Sequence, residues 1–401
     1  MKINLFDGSR HNQLLPFTHT RPVADIRCGI LTGRERWQML LNAETGTLTE
    51  DYLSAVFPKI EAPGVLYVNA AIVATKELAD AAANLKSGEK LVWEQHLVAF
   101  YGETSVTHLE EEKAAEKLAP VYFPGSLIVI QRIWDIFKNN EAAICIDVDI
   151  IAKGRQSQLI PEFVTAIHPE NIFMEPGAKA FPCILNAEKG PIYIGAEAEV
   201  MEGATIRGPF ALGEHAVVKM GTKIYGGTTI GPGCKVGGEI SNAVFFANSN
   251  KGHDGFVGNA VIGEWCNLGA DTNCSNLKNN YDEIKIWDER QNKSVKTGLQ
   301  FCGLMMGDHS KCGINTMFNT GTVVGVSCNI YGGGFPEKFI PSFTWGGSEG
   351  LATYRLDKAL ATADRMMERR NKQLSHEDKT LLQAVFDNTA NQRDLMGAKA
   401  E

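Results

Sequence analysis

The 401-residue sequence has no C-x-x-C pair, no cluster of basic residues and no apolar run long enough to span a bilayer. Each absence removes a class of protein. The nine cysteines are singletons (Cys28, Cys145, Cys183, Cys234, Cys266, Cys274, Cys302, Cys312 and Cys328), so neither a disulfide framework nor a zinc site is indicated. They read instead as small buried hydrophobes. A formal charge of −8 without a basic stretch argues against nucleic acid or an anionic membrane as partner, and any anionic ligand must be held by a local pocket. The opening segment, MKINLFDGSRHNQ, lacks the basic, apolar and small-residue zones of a secretory signal, and the expected location is the cytoplasm. With 44% hydrophobic residues the chain has enough apolar material for more than one core, as expected of a soluble globular protein.

The middle of the chain repeats with a period of six: Ile194, Val200, Ile206, Leu212, Val218, Ile224, Ile230 and Val236 follow one another without a miss. Four residues after each apolar position comes Ala198, Ala204, Phe210, Ala216, Thr222, Thr228 or Cys234, nearly all small, with glycines between. The series returns as Phe256, Ile262, Leu268 and Cys274, and again as Met306, Cys312, Phe318, Val324 and Ile330. This period suits neither a helix nor an alternating strand, but it fits a parallel β-helix of hexapeptides. One apolar residue per hexapeptide would point into a narrow prism, the small residue would let the walls approach at the bend, and coils would stack about 4.8 Å apart. Most coils of such a prism are scaffold, so function is expected where the repeat is interrupted, at 239–255 and at 275–300. The second interruption is charged, carries Trp287, and is long enough for an excluded loop or small hairpin that could reach a neighbouring subunit.

Residues 1–165 read as an α/β domain, with apolar runs VLYVNAAIVA, KLVWEQHLVAF and SLIVI separated by helical stretches such as RIWDIFKNN. The prism is then expected over 166–349 and a helical tail over 350–401. In the tail, Leu356, Leu360, Ala363, Met367 and Leu374 mark one amphipathic helix. Ser375 to Asp378 form the cap of a second, through Leu381, Leu382 and Val385.

The stretch KGHDGFVGNAVIGEWCNLGADTNCSNLK resembles the acetyltransferase half of the GlmU-like group of bifunctional sugar-1-phosphate nucleotidylyltransferase/amino-sugar acetyltransferases. His253, Gly258, Asn267 and Asn276-Leu277-Lys278 stand at that group's spacings. The segment LLPFTHTRPVADIRCGILTGRERW resembles the nucleotidyltransferase domain of a divergent Bacteroidetes-type version. The resemblance implies a nucleotidyltransferase-like, Rossmann-like domain, a left-handed parallel β-helix and C-terminal helices, assembled as a homotrimer with active sites between prisms. The implied activity is acetyl transfer from acetyl-CoA to an amino-sugar 1-phosphate such as glucosamine 1-phosphate. Uridylyl transfer from UTP would follow, giving UDP-N-acetylglucosamine or a related nucleotide sugar. An amino sugar must lose a proton before its nitrogen attacks a thioester, and a neutral imidazole can accept it. On the family's pattern His253 is that base, Asn267 and Asn276 hold the sugar or the developing oxyanion, and Lys251 and Lys278 meet the phosphate. A corner histidine can equally be merely solvated, and asparagine can serve a coil turn.

Two positions depart from the pattern: Phe256 where many members have tyrosine, and Asp271 for a glycine. His309, in MMGDHSKCGINT, is a competing histidine. In the amino-terminal domain Gly8, Ser9, Arg10 and Arg21 are the counterparts of the phosphate-binding loop and its cations. Asn69-Ala70-Ala71 stands where relatives place the aspartate that holds Mg²⁺, and alanine cannot ligate a hard cation. Asp7, Asp147 or Asp149 could supply a carboxylate, or serve only to cap strands. The rival readings are a nucleotidyltransferase whose prism is a trimerisation scaffold, and a non-catalytic nucleotide-sugar-binding protein.

Overall fold

The computed structural model of the chain describes residues 1–102 and 106–399. It divides into two compact units: Met1–Arg27 with Leu31–Asp135, and Cys28–Ile30 with Ile136–Glu401.

The first unit carries a six-stranded sheet of β1 (Lys2–Phe6), β2 (Glu44–Leu48), β3 (Val65–Asn69), β4 (Glu89–Trp93), β5 (His96–Gly102) and β6 (Ala119–Tyr122), in the order β2-β1-β3-β5-β4-β6. β1 pairs in parallel with β2 and β3, and its apolar run is buried, as befits a central parallel strand covered on both faces. Helix α1 (Gly33–Leu41) starts at a Thr32/Glu35 capping box, and α2 (Lys76–Ala83) is capped by the Thr75 hydroxyl. The run SLIVI adds no strand; it makes only an isolated bridge between Ile72 and Val129. The carboxyl ends of β1, β2 and β3 lie along one edge, where open α/β sheets present ligand sites.

In the second unit the hexapeptides form the expected prism. Val200 pairs with Val218 and Val218 with Val236, so each regular coil advances the chain by eighteen residues, or three hexapeptides. Three stacks of short parallel strands make the faces of a parallel β-helix. The inward column, including Ile194, Val200, Leu212, Val218, Ile230 and Val236, is fully buried. The segment 239–255 is not an interruption. Glu239–Phe245 and Phe256–Ile262 are continuous strands in register, each taking Asn242 or Asn259 through a left-handed turn at φ +47°. The inward residues there are Ile240, Phe245, Lys251, Val257 and Ile262, so Val257 rather than Phe256 faces the core. By contrast, 275–300 does leave the coil: Lys285–Asp288 and Lys293–Lys296 form an antiparallel hairpin, and Trp287 stacks on Phe339 at 5.0 Å.

The boundary expected near residue 165 falls instead at Asp135/Ile136, and the tail is part of the second unit. Helix Asn140–Ala152 explains the shift, because it buries Ala143, Ile144 and Ile151 and its Asn140 amide donates to Gly227 O (2.8 Å) and Thr229 Oγ1 (3.0 Å) on the prism. Its Asp147 accepts from Ile30 N at 2.7 Å and Asn140 Oδ1 from Gly29 N at 2.7 Å, which draws Cys28–Ile30 into the same unit. The tail helix Leu356–Glu368 ends before Leu374, which the sequence reading placed in it, and His376–Asn388 follows as expected with a Ser375/Asp378 capping box. Just past the first of them, Arg370 donates to Asn250 Oδ1 at 3.1 Å. No helix among the described residues is long and apolar enough to cross a membrane.

Candidate functional site

Successive corners of the prism line up along one edge: 201–204, 219–222, 237–238, 252–255, 269–272 and 313–316. Gly237, Gly238, Gly252 and neighbouring side chains leave a groove of about 500 Å³ there, with Met201, Met220 and Asp271 on its walls. His253 stands exposed on its rim beside Asp254. The absence of a side chain is enforced at Gly238 and at the adjoining Gly255, though not at Gly252: a Cβ on Gly238 would come within 2.5 Å of Gly255 O, and one on Gly255 within 2.2 Å of Thr272 O. Asp271, exposed in the same groove, takes φ +56°, which accounts for glycine in the family's version of this corner.

The other prism candidates lie elsewhere. Asn267 is half-buried on the face leading into the corner, in register with Asn250 and Lys311. Asn276 sits across the next face, at the following corner, where its amide donates to Asn259 Oδ1 at 2.8 Å. Lys278 is beside it and donates to Glu283 O at 2.6 Å. Lys338, which sequence reasoning missed, belongs with this corner: burial and the neighbouring Lys278 charge hold its pKa below the ordinary lysine value. One chain therefore does not bring His253 and Asn276 together; they occupy opposite edges of one face.

Lys251 contradicts the sequence expectation. Its side chain is fully buried inside the prism and its ammonium donates to Gly237 O (3.1 Å), His253 O (2.8 Å) and Asp254 O (3.1 Å). All its donors are spent on backbone, so it cannot meet a phosphate. The phase of the repeat carried the signal, since Lys251 is six residues after inward Phe245 and six before inward Val257.

His309 lies at a different corner, half-buried, with its backbone N–H on Glu264 O at 2.8 Å and its ring stacked on Trp265 at 6.5 Å. Next to it Lys311 donates to His309 O at 2.8 Å, and burial lowers its pKa from 10.5 to about 8. Below about pH 8 the folded protein carries a poorly solvated ammonium. Between about 8 and 10.5 the folded side chain has lost its proton while the unfolded one keeps it, so this group's contribution to stability rises with pH across that window. Lys311→Met is thus expected to raise the urea midpoint at pH 7, by a margin that shrinks towards pH 10. A margin independent of pH would count against this.

In the first unit, Gly8 turns left-handed at φ +51° just after β1, Ser9 is exposed, and Arg21 is buried. Arg10 is half-buried and bonded to Gln13; burial and the adjacent Arg132 charge lower its pKa, against the pull of Asp135 and Glu112. The pairing of Arg10 with Arg132, distant in sequence, is a cationic feature that only the fold assembles. Asp7 accepts from Val23 N (2.8 Å) and Thr49 Oγ1 (2.6 Å) and contacts His11 Nδ1 (3.0 Å). Asn69 is turned to Ala71 N and Leu97 O. Asp147 is likewise committed to backbone in the second unit. Among the described residues no group of His, Cys, Asp and Glu is disposed to hold a metal. Mg²⁺ at a nucleotide site ordinarily takes one or two carboxylates together with the substrate phosphates, so a cation there would be shared with the triphosphate. Beyond Asp7, His108 lies 3.3 Å from Glu50 and 3.7 Å from Glu111; burial opposes its protonation, but Glu111, Glu50 and Asp7 outweigh this and raise its pKa.

Residues 3–156 match the family model described as sugar nucleotidyl transferase. The chain is 27% identical over 164 residues, 40% of its length and 70% of the relative's, to the uncharacterized acetyltransferase YaiX of Escherichia coli. It is 29% identical over 147 residues to the bifunctional sugar-1-phosphate nucleotidylyltransferase/acetyltransferase of Sulfurisphaera tokodaii, covering 36% of each chain. With the bifunctional protein GlmU of Methanocaldococcus jannaschii it shares 31% identity over 107 residues, covering 27% of this chain and 26% of that one. The chain is a transferase, similar in its first 156 residues to sugar nucleotidyl transferases and elsewhere to acetyltransferases. These matches support a GlmU-like family for it.

Proposed function

We propose that the prism acetylates the amine of an amino-sugar 1-phosphate, with glucosamine 1-phosphate as the reference acceptor and acetyl-CoA as donor. The carrying observation is His253, displayed by a glycine-built corner on the rim of a groove and set within a sequence of the family's spacing. The imidazole takes the proton from the ammonium, the freed nitrogen attacks the thioester carbonyl, the C–S bond breaks as the imidazolium passes that proton to the departing thiolate, and the second proton on the acylated nitrogen is lost to water to leave the neutral amide. Because Asn276 and Lys278 lie across a face from His253, the site needs a second prism to supply them, which supports a homotrimer with sites between copies. Asn267 lies on the other side of the His253 corner, on the face leading into it. The amino-terminal unit then transfers uridylyl from UTP to the acetylated product, with Arg10 and Arg132 offsetting phosphate charge.

The test is an assay of the whole chain for thiol release from acetyl-CoA and pyrophosphate release from UTP, over a panel of sugar phosphates. Thiol release that depends on an amino-sugar phosphate, with pyrophosphate release from the N-acetylated product, is the expected result. Pyrophosphate alone would reduce the prism to a scaffold, and neither product would leave a binding protein.

A further inference from the structure

The corner that displays His253 is built unlike its neighbours. At the corners 219–222, 269–272 and 313–316, though not at 201–204, where Ala204 takes the place, a threonine ends the turn, and its hydroxyl donates to the carbonyl three residues back: Thr222 to Lys219 O (2.6 Å), Thr272 to Gly269 O (2.7 Å) and Thr316 to Gly313 O (2.9 Å). The corresponding position of the His253 corner is Gly255, forced by its contact with Thr272 O and by φ +111°. No hydroxyl is there to pin the turn. The preceding corner is also cut to Gly237-Gly238, which leaves the Gly237 carbonyl under the His253 turn.

We infer that Lys251 is a positioning residue for His253, holding the base's own carbonyl, the next carbonyl and that of the coil beneath with one ammonium from inside the prism. The three contacts are 2.8, 3.1 and 3.1 Å. Its stem fills the inward column beside Val236, where a leucine or valine would serve packing better. A buried cation is costly, and it is retained where it satisfies groups that nothing else reaches. Burial also pulls its pKa below the ordinary lysine value, with Cys274, Asp254 and Asp271 opposing. The ammonium ties together both residues flanking the peptide bond that follows His253 and clamps them to the coil below, so the imidazole projects from a fixed stem. Without it the turn is free to shift, and an ångström-scale shift of a catalytic group costs about 100-fold in rate.

This inference rests on the proposed role of His253. The test compares Lys251→Met, Lys251→Gln and His253→Ala in the full chain, reading kcat and KM for acetyl-CoA with glucosamine 1-phosphate, together with the thermal midpoint. Methionine keeps the apolar stem and removes every donor. The expected result is a roughly 100-fold lower kcat with KM within about twofold and a cooperative unfolding transition. Glutamine, with amide donors on a shorter stem, should recover part of the rate, which a merely space-filling role does not predict. Wild-type kcat in folded Lys251→Met, or a loss confined to KM, overturns the inference. If the methionine variant does not fold, the glutamine variant decides: folded and slowed supports positioning, folded and at full rate overturns it. Undiminished turnover by His253→Ala removes the underlying reading, whereas an inactive His253→Ala beside a fully active Lys251→Met removes this inference alone.

Discussion

Replacing His253 with alanine is expected to lower acetyl transfer by roughly 10²- to 10⁴-fold, the usual worth of a positioned general base. The same change should leave the thermal midpoint in place. His253 is exposed, and among the described residues its ring makes no hydrogen bond, so its loss takes no packing and no internal bond away. The carbonyl that Lys251 holds belongs to the backbone and survives the substitution. Pyrophosphate release should also be unchanged, since the cations proposed for that step lie in the other compact unit. The combination is diagnostic: loss of one activity, with stability and the second activity intact, places the residue in the chemistry. Equal decline of both activities would indicate damage to the fold, and retained thiol release would remove the imidazole from the mechanism.

How much of this was readable beforehand differs along the chain, for reasons that can be named. A strict period of six survives in sequence because each inward position meets the same narrow space coil after coil, so Ile194 to Val236 could be assigned without a structure. The period was lost where the chain takes shortened corners. Steps of four and five residues, from Val236 to Ile240 to Phe245, are absorbed by the two-residue corner Gly237-Gly238 and by Asn242 in a left-handed turn. That slip hid the inward phase of Lys251, and a lysine in a repeat is naturally read as surface. Similarly, ICIDVDIIA has the composition of a strand, but in the helix Asn140–Ala152 that contains it, Asn140, Ala143, Ile144, Asp147 and Ile151 fall on one face, which the prism buries. The pairs Arg10 with Arg132 and Lys278 with Lys338 join distant segments; only the folded chain brings them together. The corner position of His253 was legible because the coils between it and Gly258, Asn267 and Asn276 keep their spacing.

The glycine at position 255 carries the second large effect. Gly255→Ala is expected to destabilise the prism by roughly 4 kcal/mol, combining about 1–3 kcal/mol of backbone strain with a similar cost of overpacking. Both terms are set by geometry. Its φ of +111° is a conformation that a side chain disfavours, and the new methyl would stand 2.2 Å from Thr272 O and 2.9 Å from Thr272 C. Those atoms cannot withdraw cheaply, because the following Asn273 pairs with Met317 and accepts from Phe256 N at 2.9 Å, while Asp271 N is bonded to Asp254 O at 3.1 Å. Relief must then come from the corner itself, which moves His253 and strains the bonds to Lys251. Gly252, three residues earlier in the same turn, is the control: a methyl there meets nothing within 4 Å, and its φ lies outside the left-handed region. Gly252→Ala should unfold within about 0.5 kcal/mol of wild type, and urea midpoints of the two variants, measured side by side, report the contrast. Equal midpoints would mean that the coil yields at this corner, and a turn that yields could not hold a base in a fixed place.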